Sequence, residues 1–81
     1  MKNIRKKELK TVITFETTTQ AIGMESACKE YQIEGRLIPV PKEITAGCGM
    51  AWMTSLENEE SVVQFMSEHE IIPQWVFQVE I

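Results

Sequence analysis

The chain has 81 residues, of which 43% are hydrophobic and 25% are charged, and its net charge is −4. This length allows one domain, and the composition is that of a globular protein rather than a disordered one. Two cysteines separated by 20 positions do not make a disulfide framework. No apolar run approaches the roughly 18 residues that a membrane span needs. We therefore expect a soluble cytoplasmic protein, without a membrane partner, in which both thiols are free.

Charge is distributed unevenly along the chain. Residues 1–10 contain five of the eight Lys and Arg residues, whereas eleven of the twelve glutamates lie beyond them. A nucleic-acid-binding domain would carry its basic residues on the folded face, so we expect no nucleic-acid partner. We interpret residues 1–8 as a basic, frayed segment and residues 9–81 as the domain.

The first half of the chain predicts a strand, a helix and a second strand. Residues 9–16 alternate apolar and polar side chains, which is typical of a strand. Residues 18–32 repeat apolar side chains at helical spacing, with a threonine before them as N-cap and Gly35 beyond them as a stop signal. Residues 36–41 are extended, and their two prolines cannot donate hydrogen bonds to a sheet. They therefore predict an edge strand.

The second half predicts a strand, a helix and a last strand. Residues 50–54 form a short apolar run, and residues 75–81 alternate apolar with polar side chains. Asn58 is a candidate N-cap for the helix between them. The expected inner face of that helix consists of Val62, Phe65, Met66 and His69. The order β-α-β-β-α-β predicts an α+β, ferredoxin-like fold. It has a four-stranded antiparallel sheet, strand order 4-1-3-2, with two helices on one face.

The residues needed for most catalytic sites are missing. There is no aspartate, and His69 is the only histidine, so a Ser-His-Asp triad cannot be built. A Cys-His pair would require His69 to reach Cys48. The chain has no Cys-x-x-Cys motif and no cluster of metal ligands, so we expect neither a metal nor a cofactor. These absences predict a carrier or binding protein rather than an enzyme.

Cys48 is the one chemically suggestive residue. Gly47 and Gly49 flank it, leaving the sulfur accessible and allowing backbone N–H groups to point toward a thiolate. Lys42 is a nearby cation in the sequence and would favour the same thiolate. Alternatively, Cys48 is a small apolar residue that fills a tight turn, and from spacing alone we prefer this interpretation.

The other candidate residues are expected to be structural. Cys28 lies on the apolar face of the first helix and should react slowly with thiol reagents. Near the end of a helix, His69 is favourable without any further role. Trp52 and Trp75 are expected in or beside the core, and an exposed one would indicate a partner surface.

Two segments carry a family resemblance. Residues 15–25 read FETTTQAIGME, and the more distinctive residues 36–49 read RLIPVPKEITAGCG. Together they resemble the small bacterial proteins of the selenium/sulfur (Se/S) carrier protein-like family, and the likeness covers roughly residues 10–75. The Ile-Pro-Val-Pro segment followed by Cys-Gly is the part most specific to the family.

The resemblance implies a cytoplasmic bacterial protein whose Cys48 holds a persulfide or selenide sulfur. Its implied partners are a sulfur- or selenium-donating enzyme, such as a cysteine desulfurase, and an acceptor protein. Lys42 stands where the family is expected to have an arginine, which keeps the charge but not bidentate anion binding. Residues 17–19 stand where the family often has a histidine.

A second hypothesis comes from a different class of function. The domain would be a non-catalytic interaction or regulatory module in which Cys48 is structural, since ferredoxin-like folds host many functions. An exposed apolar sheet face, or pairing through the edge strand at residues 36–38, would favour it. A homodimer is left open by either hypothesis.

Overall fold

The structure is a computed structural model, and it describes residues 7–81. Most of the basic segment assigned to residues 1–8 lies outside the described part. No helix within residues 7–81 is both long and apolar enough to cross a membrane. The elements are β1 (Leu9–Thr14), α1 (Thr18–Tyr31), β2 (Arg36–Pro39), β3 (Met50–Ser55), a 3₁₀ turn (Leu56–Asn58), α2 (Glu59–Glu68) and β4 (Trp75–Glu80).

The four strands form one antiparallel sheet in the order β2-β3-β1-β4. The predicted ferredoxin-like βαββαβ arrangement is therefore confirmed, with β2 and its Pro39 at an edge. Both helices contribute to one core on the same face of the sheet. That core consists of Ile13, Phe15, Ala21, Met24, Cys28, Trp52, Val62, Phe65 and Met66.

Both ends of α1 lie where the sequence predicts them, but the residue that terminates the helix is not the predicted one. Thr17 is the N-cap, and its hydroxyl accepts a hydrogen bond from Gln20 N–H while the Gln20 side chain accepts one from Thr17 N–H. The residue that ends the helix is Gln32, which adopts the left-handed conformation at φ 58°. Gly35 lies three positions further on, so its assignment as the stop signal was wrong.

Of the two predictions made for α2, one holds in position and the other is wrong. Asn58 is the N-cap residue, as predicted, but its side chain makes no capping hydrogen bond, and its amide donates to Glu34 and Ser55. His69 is exposed at the end of α2 rather than buried on its inner face. Its ring lies against those of Phe65 and Tyr31, with centroid distances of 4.4 and 4.6 Å.

The opposite, helix-free face of the sheet carries a second apolar layer. Val12, Ile44 and Ala51 are buried there, and Ile44 belongs to the connection between β2 and β3. Partly buried side chains surround this centre: Ile38, Val40, Ala46, Met53, Phe77, Val79 and Ile81. The β2–β3 connection therefore folds over the sheet, while the β4 side of this face stays partly open.

Glu34 fastens the α1–β2 connection to the end of β3. Its carboxylate accepts hydrogen bonds from Ser55 N–H at 3.0 Å and from the Asn58 amide at 3.1 Å, and another from the Thr54 hydroxyl. These donors, first of all the Ser55 N–H, hold the pKa of Glu34 at about 2 instead of its ordinary 4.5. No sequence pattern predicts this cluster, since its members are about 20 positions apart.

We predict that Glu34→Gln lowers the free energy of unfolding at neutral pH by about 1 kcal/mol, because the donors lose a charged acceptor. A carboxylate with a depressed pKa in the folded state stabilises the fold above its unfolded value of 4.5, and that stability is lost as pH falls toward 2. Urea titrations between those pH values should show a shallower loss for Glu34→Gln than for the native chain. Glu57→Gln is the control and should unfold like the native chain at neutral pH.

Candidate functional site

Cys48 lies in a tight loop that closes against the end of β1. Its backbone N–H donates a 3.0 Å hydrogen bond to Phe15 O, and Phe15 is a fully buried core residue. On the other side of the loop, Gly49 O accepts a hydrogen bond from Val40 N–H at 2.9 Å. The loop is therefore held both to the core and to the residue that follows β2.

The two glycines make this loop possible. Gly47 has φ +76° and Gly49 has φ +98°, values that side-chain-bearing residues rarely adopt. A Cβ atom at Gly47 would lie 2.8 Å from Phe15 O, which is too close, whereas one at Gly49 would meet nothing within 4 Å. Both glycines are exposed and Cys48 is half-buried, so one side of the loop faces solvent.

Two supporting residues were missed by the sequence analysis. A Cβ atom at Gly47 would also lie 3.1 Å from Gln74 Oε1 and 3.3 Å from the Thr14 Cβ. Gln74 N–H donates to Thr14 O at 2.7 Å, and the Thr14 hydroxyl donates to Gln74 Oε1 at 3.1 Å. Pairing of the first and last strands places Gln74 beside Thr14. The predicted strand order pairs these two strands, but the register that sets Gln74 beside Thr14 comes from the structure.

The two thiols are in different environments. Cys28 is 1% exposed within the core, and burial raises the pKa of its thiol to about 11. Cys48 packs against the edge of the same core, and its Sγ lies 3.8 Å from Met50 O, to which the thiol donates. Both cysteines are free. The core position predicted for Cys28 is confirmed, and Cys48 is the more accessible thiol.

Neither Lys42 nor His69 makes a hydrogen bond to Cys48 within the described residues. Lys42 is exposed in the turn from Pro41 to Ile44, and Ile44 packs on the helix-free face. Cys48 packs instead on the helix side of the sheet. The effect of Lys42 on the thiolate thus stays a prediction, and any such effect acts through space rather than through a bond.

The described residues contain no group of three or more His, Cys, Asp or Glu side chains arranged to hold a metal ion. The groove beside His69 has a volume of about 430 Å³. Met24, Tyr31 and Ile71 help to line it, but Cys48 does not. The chemistry open to the Cys48 loop is therefore that of a single thiol reached from solvent.

The structure thus defines a small α+β domain of ferredoxin-like fold with one half-buried cysteine between two exposed glycines. A sequence model of the family described as "Putative Se/S carrier protein-like" matches residues 10–78, and the chain belongs to this family. The resemblance found in the sequence is thereby confirmed. No curated protein and no solved structure is similar enough to match.

We predict that Cys48 is alkylated much faster than Cys28 in the folded protein. The buried Cys28 thiol has a pKa of about 11, so it has almost no thiolate at neutral pH and little access to reagent. Peptide mass spectrometry after short iodoacetamide pulses would measure both rates, with the unfolded chain as the reference. Equal rates in the folded chain would contradict this division.

We also predict that Gly47→Ala destabilises the fold by about 2 to 4 kcal/mol, because a positive φ is combined with a clash against Phe15 O. Gly49→Ala is the matched variant. It has the unfavourable φ but open space, so it should cost only about 1 to 2 kcal/mol. Thermal and urea unfolding would compare the free energies of unfolding of the two variants. An equal loss of stability in both would contradict the prediction, because the added Cβ at Gly47 would then be accommodated beside Phe15 O without a further penalty.

Proposed function

We propose that this protein is a sulfur or selenium carrier that accepts the transferred atom on Cys48. The observation that supports the proposal most directly is the pair of exposed glycines around a half-buried thiol, in a loop bonded to the core. Membership of the Se/S carrier-like family agrees with it. A carrier thiol has to be reached by a donor and then by an acceptor, and a neighbour without a side chain allows that approach.

The transfer needs no oxidant. Cys48 loses its proton and the thiolate attacks the terminal sulfur of a persulfide on a donor enzyme. The donor's S–S bond breaks, its cysteine leaves as a thiolate, and Cys48 becomes the persulfide. A thiolate on the acceptor then attacks the same terminal sulfur and releases the Cys48 thiolate. A selenium atom bound to the donor's cysteine would move by the same two displacements.

Within this proposal, Gly47 and Gly49 leave the Cys48 sulfur open to an approaching partner. Lys42 adds positive charge that attracts an anionic persulfide. The donor would be a cysteine desulfurase or an enzyme of similar chemistry, and the acceptor a second protein. We place these reactions in the cytoplasm of a bacterium, in keeping with the free thiols.

A second candidate function is a non-catalytic interaction module in which Cys48 is structural. Two observations favour it. The Cys48 thiol is partly packed and donates to Met50 O, as a turn-filling cysteine would. Trp75 is 58% exposed at the open end of the helix-free face, where a partner surface is expected.

We predict that incubation with a cysteine desulfurase and cysteine adds the mass of one sulfur atom to the protein, and that reduction removes it. Cys48→Ser should abolish the gain, whereas Cys28→Ala should keep it, because Cys28 is buried. Intact-mass spectrometry before and after reduction provides the measurement. No added sulfur on a folded native chain, or sulfur that persists in Cys48→Ser, would favour the interaction module.

A further inference from the structure

The outer edge of β4 lacks a strand partner within residues 7–81, because the sheet ends there. Natural edge strands are kept from pairing by shortness, by Lys or Pro, or by bulges. The other edge strand, β2, has four residues and contains Arg36 and Pro39. In contrast, β4 has six residues, WVFQVE, with no Lys, Arg or Pro among them. Its edge carries almost none of the usual protection.

Both faces of β4 are also open. Trp75, on the helix-free face, is 58% exposed, and Val76, on the helix face, is 37% exposed. An apolar strand that is open on its edge and on both faces is suited to pairing with another strand. A partner at this edge would therefore need to offer matching backbone groups and apolar side chains.

The pairing of β4 with β1 fixes which backbone groups point outward. Glu8 and Ile81 exchange both hydrogen bonds, at 3.2 and 3.0 Å. In an antiparallel ladder such pairs alternate, so Phe77 and Val79 also direct their N–H and C=O groups toward β1. The free groups on the outer edge are consequently those of Val76, Gln78 and Glu80.

We propose that β4 pairs antiparallel with β4 of a second copy of this chain, with the two-fold axis at Gln78. Outward-facing residues must then pair with one another, Gln78 with its own copy and Val76 with Glu80 of the partner. This proposal is independent of the sulfur-carrier function. It predicts a continuous eight-stranded sheet with all four helices on one side.

The strand is complementary to itself in this arrangement. Residues 75–81 all find a partner, and on the helix-free face Phe77 lies opposite Val79 and Trp75 opposite Ile81 of the second copy. Apolar pairs across antiparallel strands are stabilising. Glu80, the only charged residue of β4, lies opposite Val76, so no like charges face each other. A second copy thus provides hydrogen-bond partners for the outward backbone groups of β4 without leaving a buried charge.

The dimer would leave the Cys48 loop of each copy accessible. Gly47 packs beside Gln74, just before the start of β4. In an antiparallel pair the two strand starts lie at opposite ends, separated along the strand direction by roughly 20 Å. Loss of the dimer should therefore leave sulfur loading of Cys48 intact, and Cys48→Ser should leave the dimer intact. Failure of one proposal can be distinguished from failure of the other.

The first test measures mass by light scattering during gel filtration, over a wide range of concentrations. We expect twice the 9.3 kDa chain mass for the native protein. Gln78→Pro removes an outward N–H without removing a bond to β1, and should weaken the dimer about thirtyfold or more. Gln78→Ala is the matched control: it loses the same side-chain bond to Glu59 but keeps the N–H, so it should remain dimeric. A native monomer at all concentrations would overturn the proposal, as would a folded Gln78→Pro variant that dimerises normally.

A second pair of variants tests the register and does not depend on proline being tolerated. Val76→Glu places like charges opposite Glu80 twice in the dimer and should weaken it roughly tenfold. Combining Val76→Glu with Glu80→Lys makes both pairs opposite in charge and should restore the dimer. Circular dichroism checks that every variant is folded. A folded double variant that stays as weak as Val76→Glu would rule out a two-fold axis at Gln78.

Discussion

The hydrogen bond from Cys48 N–H to Phe15 O is the contact on which the position of the site depends. Phe15 follows directly after β1, is fully buried, and precedes the N-cap of α1. The loop is therefore bonded to the backbone of a close-packed core residue. The bond forms only if the chain passes close to Phe15 O, and this approach is possible because Gly47 has no Cβ and adopts a positive φ.

The same loop ends a segment that wraps from one face of the sheet to the other. Ile44 packs on Val12 and Ala51 on the helix-free face, and four residues later Cys48 packs on the helix side. The segment thereby covers part of an apolar face that has no helix of its own. It also separates Lys42 from Cys48, because the turn that contains Lys42 ends at Ile44 on the helix-free face. A cation close in sequence is therefore not a hydrogen-bond partner of the sulfur.

Much of the fold followed from periodicity, turn residues and the two prolines, because each is a local property of the chain. The strand order, the edge position of β2 and the burial of Cys28 were all predicted in this way. The Glu34 cluster and the Gln74–Thr14 contact were not predicted, since they join residues about 20 and 60 positions apart. His69 was predicted on the inner face of α2, but that helix ends at Glu68 and the ring lies exposed beside those of Phe65 and Tyr31. Contacts of this kind depend on how the elements are placed in three dimensions, and a single sequence pattern does not encode that placement.

The burial of Cys28 explains how a chain with a second cysteine could still carry a persulfide on Cys48. If Cys48 carried a persulfide, a second accessible thiolate in the same chain would attack its inner sulfur, form a disulfide and release hydrosulfide. The pKa of about 11 for Cys28 leaves almost no thiolate to start that reaction at neutral pH, and its burial at 1% exposure limits its access to any partner. The same burial that completes the core would therefore protect a persulfide on Cys48. Replacing Cys28 by a smaller residue without a thiol would preserve this protection, whereas exposing Cys28 would remove it together with the packing.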